Sequence, residues 1–345
     1  MSRYRSLVAV LCLLAGYGAL DGAPAAAAET ATVSRDAKDA LLEYLGGQKS
    51  TGLLVIQKGE TLVEKSWPAP QDDRQFQLFV YGPAPDGTLL EDVASQQKSF
   101  VAVLVAIALD KGLIDLNKPV SAYLGAGWSK ATPEQEAKIR VDDVLRMSSG
   151  LDEAFRYSAP AGSVFFYNTP VYAITKRVLE AAAATPLDTL TRDWLTVPAG
   201  MTDTAWRKRP GALASVGNQT GLVTTPRDVA RFGRIVLGRG VGATGKRVVS
   251  EKNLDLLFEP APTNPSYGRL WWLNNGGFSI RAGGARAEGQ LIAAAPRDTV
   301  AALGAFDRRL YVVPSRGLIV VRTGAAASDK DFDQHFWLLL LKVIS

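Results

Sequence analysis

Two residue types that carry much of enzyme chemistry are nearly missing from this sequence: one cysteine, Cys12, and one histidine, His335, in 345 residues. With no cysteine beyond position 12, disulfides and thiolate nucleophiles are excluded, so stability has to come from core packing. A single histidine cannot build a multi-histidine zinc site, and neither a metal nor a cofactor is expected. A Ser-His-Asp triad would have to use His335, which sits in Asp333-Gln-His-Phe-Trp-Leu-Leu-Leu340, an amphipathic helix pattern that gives it a surface or capping place. The G-x-S-x-G elbow is absent as well. A serine hydrolase built from this inventory takes its base from lysine or tyrosine.

Charge bias is also lacking. Lys and Arg number 39 against 34 Asp and Glu, a net of +5 scattered along the chain, so no nucleic-acid partner is expected. Only one long apolar run, Ser6 to Leu20, stands near an end. It follows the basic Met1-Ser-Arg-Tyr-Arg5 and precedes the small residues Ala23 to Ala28, the order of a secretory signal peptide over residues 1–28. The run is short and broken by Gly16 and Gly18, which argues against a stable membrane span. The protein is therefore expected to be exported, periplasmic or secreted, with residues 29–345 as one domain.

Within that domain, Ser34 and the spacing of Ala37, Leu41, Leu42 and Leu45 predict a helix. Gly52–Gln57 and Thr61–Lys65 around Lys58-Gly59-Glu60 predict a hairpin. Residues 113–258 read as mainly helical, with few strand signals. Strands return at 268–273, 278–281, 299–303, 309–313 and 318–322, and a helix over 331–344 follows. Strands near both ends with helices between them imply one antiparallel α/β (α+β) sheet, from about 50–66 and 267–323, with an inserted helical lobe.

One tetrapeptide, Ser95-Gln-Gln-Lys98, opens a helix that is apolar nearly all round to Leu109. Residues three apart share a helix face with Cβ atoms about 5–6 Å apart, so the amine can reach the hydroxyl. Further along come Ala108-Leu-Asp-Lys-Gly-Leu-Ile-Asp-Leu-Asn-Lys-Pro-Val120, Val144-Leu-Arg-Met-Ser-Ser-Gly-Leu151, Phe165-Phe-Tyr-Asn-Thr169 and Thr225-Pro-Arg-Asp-Val-Ala-Arg-Phe-Gly233. In this order and spacing the motifs resemble the serine β-lactamase, penicillin-binding-protein and esterase superfamily. The likeness is strongest to its class C β-lactamase, DD-peptidase and 6-aminohexanoate-dimer hydrolase branch, and covers essentially all of 29–345.

The resemblance implies a β-lactamase/transpeptidase-like fold and an ester- or amide-cleaving serine hydrolase, with Ser95 as nucleophile and Lys98 and Tyr167 as proton movers. It places an oxyanion hole at the backbone N–H groups of Ser95 and Ala305. Substrate contacts are implied for Thr169, Gly304 and Trp271, with core burial as the alternative for Trp271. The common Tyr-x-Asn is here Tyr167-Asn168-Thr169, and the usual Lys/His-Thr/Ser-Gly strand motif is Ala302-Leu303-Gly304, which has lost its cation. Arg308 or Arg309 could supply the charge from the next strand, against a solvated strand arginine. The expected partner is a small ester, amide or peptide-like molecule. β-Lactams or peptidoglycan, either hydrolysed or only bound by a sensor, form the competing reading.

Overall fold

The computed structural model describes residues 35–214 and 218–344; the expected signal peptide lies outside them. Its strands are β1 (Ser50–Gln57), β2 (Glu60–Ser66), β3 (Val80–Pro83), β4 (Leu89–Asp92), β5 (Ala205–Lys208), β6 (Thr220–Thr224), β7 (Trp272–Leu273), β8 (Phe278–Ile280), β9 (Arg286–Glu288), β10 (Val300–Gly304), β11 (Arg308–Val313) and β12 (Leu318–Gly324). The helices used below are α1 (Arg35–Gly47), α2 (Gln97–Asp110), α3 (Thr169–Ala183), α4 (Pro226–Leu237) and α5 (Phe332–Leu340).

The main sheet runs β2-β1-β12-β11-β10-β7, antiparallel throughout, so early and late strands form one sheet as the sequence predicts. Val55 lies opposite Val320, and Val320 opposite Tyr311, a row of fully buried side chains across three strands. Period-two alternation is weak in β11 and β12 because both are buried along their whole length, as in strands covered on two faces.

Helix α4 lies on this sheet. Its Gly233 permits the contact: a Cβ there would come within 2.9 Å of Ile319 Cγ2 and 3.0 Å of Leu310 Cδ1. Phe232 on the same helix stacks on Phe100 of α2, with ring centroids 3.7 Å apart. Helix α2 is buried from Gln97 to Ala108, which explains an apolar sequence all round rather than on one stripe.

Two differences from the sequence expectation matter for the site. Residues 113–258 carry β5 and β6, which join β3 and β4 in a second sheet, order β3-β4-β6-β5. These strands are four and five residues long, and β5 ends on exposed Arg207 and Lys208, too short and polar to give a periodic signal. The strand expected over 268–273 shrinks to β7. Leu270 takes φ +60°, and Gly268 packs so closely on Leu257 O that a Cβ would sit 2.3 Å from it, so the chain turns there before it can pair. Among the described residues no helix is long and apolar enough to cross a membrane.

Candidate active site

Ser95 lies in a single 3₁₀ turn, Ala94–Gln96, directly before α2. Ala94 has φ +51°, a left-handed conformation that costs a non-glycine residue about 1–2 kcal/mol. What holds it there is Asp92, whose Oδ1 accepts from the Ala94 N–H at 2.8 Å. Asp92 is itself fully buried and paired with Arg209, Nε–Oδ2 2.7 Å and Nη2–Oδ1 3.0 Å. Local strain at the Ser95 turn is thus fixed by a contact from the second sheet.

Lys98 reaches Ser95 as its spacing predicts, with Nζ donating to Ser95 Oγ at 3.1 Å and to Thr169 Oγ1 at 3.1 Å. It is 2 % exposed, and its amine lies 4.8 Å from the Tyr167 ring centre and 4.7 Å from that of Tyr172. Among the described residues no carboxylate forms an ion pair with it. Burial, helped by the charge of Arg209, lowers its pKa to about 7.

Tyr167 stands just before α3 and remains partly accessible. Its hydroxyl is hydrogen-bonded to Ser95, which lowers its pKa, but loss of solvation dominates and pushes it up to about 12. The ring stacks on Trp272, centroids 5.8 Å apart, and meets the edge of Tyr267. Thr169 occupies the third motif position and holds the lysine. Asn168 is turned inward as the N-cap of α3, accepting from the Val171 N–H at 3.1 Å and donating to Leu151 O at 2.9 Å.

The strand motif also reaches the site. Gly304, at the end of β10, packs against the Ser95 turn so tightly that a Cβ would lie 2.4 Å from Val93 O and 3.4 Å from Gln96 Cβ. Gln96 ties the same two elements by donating to Ala302 O at 3.2 Å. Ala305 follows and borders a cavity of about 340 Å³ together with Ser95, Lys98, Thr169, Arg209 and Asn218.

Several expectations need correction. Trp271 is fully buried, stacked on Phe232 and edge-on to Phe258, so it belongs to the core, and Trp272 is the member of the pair against Tyr167. The reason is that Leu270 turns the chain to send Trp271 inward beside α2. Arg308 and Arg309 are neither solvated nor free to replace the lost cation. Arg308 is fully buried on Glu91 at 2.9 Å, and Arg309 is bound to Asp333 at 2.7 Å and Asp307 at 2.7 Å. His335, by contrast, keeps the surface place expected of it: on the exposed side of α5 its ring Nδ1 donates to Asp329 Oδ2 at 2.6 Å. Ser148 and Ser149 bond only nearby backbone.

Two cations escaped the sequence reading. Arg209 borders the cavity. Lys176, on α3, is buried and donates to Gln97 Oε1 at 2.9 Å, Asn218 Oδ1 at 2.8 Å, and Thr220 O and Oγ1 at 3.1 Å each. Burial and nearby Arg209 hold its pKa well below the usual lysine value. Among the described residues no group of three or more His, Cys, Asp or Glu could hold a metal ion.

This arrangement of fold and site has relatives. The family model described as Beta-lactamase matches residues 39–342. A Bacillus anthracis protein named as a 6-aminohexanoate-dimer hydrolase superposes with a TM-score of 0.67 at 15% identity, over 88% of this chain and 81% of its own. A β-lactamase/D-alanine carboxypeptidase of Yersinia pestis gives 0.64 at 17%, over 89% and 97%, and a penicillin-binding-protein homologue of Caulobacter crescentus gives 0.65 at 13%, over 89% and 96%. No curated protein matches the sequence. With a family match spanning nearly every described residue, and Ser95, Lys98 and Tyr167 gathered at one point of the matching fold, the chain belongs to the β-lactamase family.

Proposed function

We propose that the protein is an exported serine hydrolase that cleaves a small ester or amide through an acyl-enzyme on Ser95. The observation that carries this reading is the buried Lys98 amine, 3.1 Å from Ser95 Oγ and lowered to about 7, so that near neutral pH much of it is an unprotonated base. As Ser95 Oγ bonds to the substrate carbonyl carbon, its proton passes to Lys98. Tyr167, pushed the opposite way, stays a phenol and gives its proton to the leaving oxygen or nitrogen as that bond breaks. The phenolate then takes up the proton that Lys98 gained, which leaves Tyr167 a phenol and Lys98 a free amine again. Water then attacks the acyl carbon, loses a proton to Lys98, and Ser95 leaves with that proton. The backbone N–H groups of Ser95 and Ala305 are the oxyanion donors in this scheme, and Thr169 orients the lysine.

Ala302 and Leu303 stand where the family motif has a cation and a hydroxyl, and Arg308 and Arg309 are already paired. That favours esters and amides uncharged on this side of the cleft over β-lactams and peptidoglycan stems. The same loss motivates the second reading, a sensor that binds without turnover. A fluorophosphonate is expected to add one label to the wild type and none to Ser95→Ala; a label that persists in the variant overturns the assignment. Intact-mass measurement after incubation with penicillin and with a p-nitrophenyl ester separates the two readings, since turnover means a hydrolase and a stable adduct without release means a sensor.

Gly304→Ala tests the strand's part. The added carbon forces β10 away from Val93, and a displacement of this kind is expected to lower kcat/KM by about 10- to 100-fold. Thermal melting should fall only by the equivalent of about 1–3 kcal/mol. Unchanged kcat/KM would remove Gly304 from the site.

A further inference from the structure

The turn between β10 and β11 has arginines on its carbonyls. Four in succession, those of Gly304, Ala305, Phe306 and Asp307, accept from guanidinium groups. Arg309 Nη1 donates to Gly304 O at 3.1 Å and Arg308 Nη1 to Ala305 O at 3.1 Å, while Arg322 Nη1 serves Phe306 O at 2.7 Å and Asp307 O at 3.3 Å. All three side chains are buried, and hydrogen bonds from an ionised donor are strong ones.

This turn needs holding. Phe306 and Asp307 take φ +61° and +55°, successive left-handed conformations that residues other than glycine rarely adopt. Ala305 opens the turn beside Ser95, and its N–H is one of the two oxyanion donors in the proposed mechanism.

Arg309 acts on that donor most directly. Gly304 C=O and Ala305 N–H belong to one planar peptide group, so a guanidinium on the oxygen fixes the direction in which the hydrogen points. Amide resonance also couples the two ends. A cation at the oxygen draws electron density from the nitrogen and makes its N–H a better donor, as hydrogen bonds in a chain polarise one another.

The arginine itself is locked, with an acceptor for each of its five N–H groups. Nε bonds Asp333 at 2.7 Å, Nη2 bonds Asp307 at 2.7 Å and Asp333 at 3.2 Å, and Nη1 adds Arg308 O at 3.2 Å to Gly304 O. The carboxylates therefore sit on the Nε–Nη2 edge and leave Nη1 to the peptide oxygens. Burial opposes the charge of Arg309, but Asp333 outweighs burial and holds its pKa above the usual arginine value, so it stays a cation.

We propose that Arg309 is a positioning residue for the oxyanion hole, holding and polarising the Gly304–Ala305 peptide from behind, while Arg308 and Arg322 fix the turn that follows. The inference rests on the Ser95 acyl-enzyme reading with Ala305 as a donor. It gives the motif strand a cation again, one that acts on its backbone and not on the substrate.

The test uses a trifluoromethyl ketone with a short alkyl chain. Ser95 Oγ adds to the ketone carbon, the π pair moves to oxygen, and the serine proton passes to Lys98, which leaves an anionic hemiketal at the oxyanion donors. Fluorine NMR reads the pH at which that oxygen becomes protonated. Arg309→Met/Asp333→Asn neutralises both members of a buried ion pair, a change folds tolerate, and Asp307 keeps the Ala327 N–H at 2.9 Å. In this variant the protonation is expected about one pH unit higher than in the wild type. Correspondingly, kcat/KM for a p-nitrophenyl ester should fall about tenfold, less than the 10²–10³-fold loss in kcat that follows deletion of a donor outright.

A merely structural role would reduce the amount of adduct without moving the pH at which it titrates. Should the double variant fail to fold, Arg309→Lys, which keeps a cation but loses the fork, decides by a shift in the same direction. A titration unmoved in the variant overturns the proposal and leaves the serine reading intact. A wild type that forms no adduct, or an adduct that persists in Ser95→Ala, removes the serine reading and the proposal with it.

Discussion

Lys98→Met lowers kcat/KM toward an activated ester by about 10²–10⁴-fold, the usual contribution of a positioned base, and at the same time raises the melting temperature near pH 7. The two effects share one cause. Methionine fills a similar volume but carries no charge into a site where the amine is 2 % exposed. Lys98 titrates at about 7 in the folded protein against an ordinary value near 10.5. Between those values the unfolded chain binds more protons, so stability rises with pH across that window. The penalty for burying the lysine is fully present below pH 7 and disappears by about pH 10.5.

At about 1.4 kcal/mol for each pH unit, the penalty at neutral pH is on the order of 5 kcal/mol. Part of the gain in the variant is offset because the Ser95 and Thr169 hydroxyls lose their partner. Melting curves of both proteins at pH 6, 8 and 10 should therefore converge as pH rises. The wild-type rate should climb through pH 7 as Lys98 loses its proton, and that limb should be missing from the variant's residual rate. A variant less stable than wild type at pH 6, or one that keeps the limb, contradicts the assignment of Lys98 as the base.

Asp92→Asn has the opposite effect on stability, a loss of about 3–5 kcal/mol in urea unfolding, since it leaves Arg209 buried without its counter-ion. The substituted amide keeps one acceptor oxygen and puts an NH2 in place of the other, so one of the two arginine donors faces a donor and only one bond can be kept. The charge of Arg209 then acts unopposed on Lys98, and the limb of the pH–rate profile should move to lower pH. The Ala94 turn also loses an ionised acceptor, which should reduce kcat even above the new limb. Little change in unfolding, or a limb that moves upward, would dismiss the role given to this pair. The fit around Asp92 leaves no slack: a Cβ on Gly221 would fall on its carboxylate.

How much of this was legible in the sequence follows from distance along the chain. Ser95 and Lys98 are three residues apart, so helix geometry alone brings them together. The termini-built sheet was legible because β1, β10, β11 and β12 are mainly apolar runs bounded by turns, and the Lys58-Gly59-Glu60 turn ties the more polar β2 to β1. Arg209 and Lys176 were not, because each acts on a partner far away in sequence: Arg209 on Asp92, 117 positions off, and Lys176 on Gln97, 79 positions off. The same holds for Arg308 and Arg309, whose burial depends on Glu91 and Asp333. For Trp271-Trp272, alternation says that neighbours face opposite ways but not which one faces the core. The turn at Leu270 decides that, and its left-handed backbone has no signature in a leucine.

Strand β4 ends in two adjacent carboxylates that point to opposite sides, as consecutive strand residues must. Glu91 is bound by Arg308 of β11 and by the Thr51 hydroxyl of β1, both in the main sheet. Asp92 is bound by Arg209, beyond β5 of the second sheet. The backbone just ahead of Ser95 is therefore riveted to both walls of the cleft at once. Loosening either wall would therefore be felt first at the turn that carries Ser95, since both walls pull on the same two residues of β4.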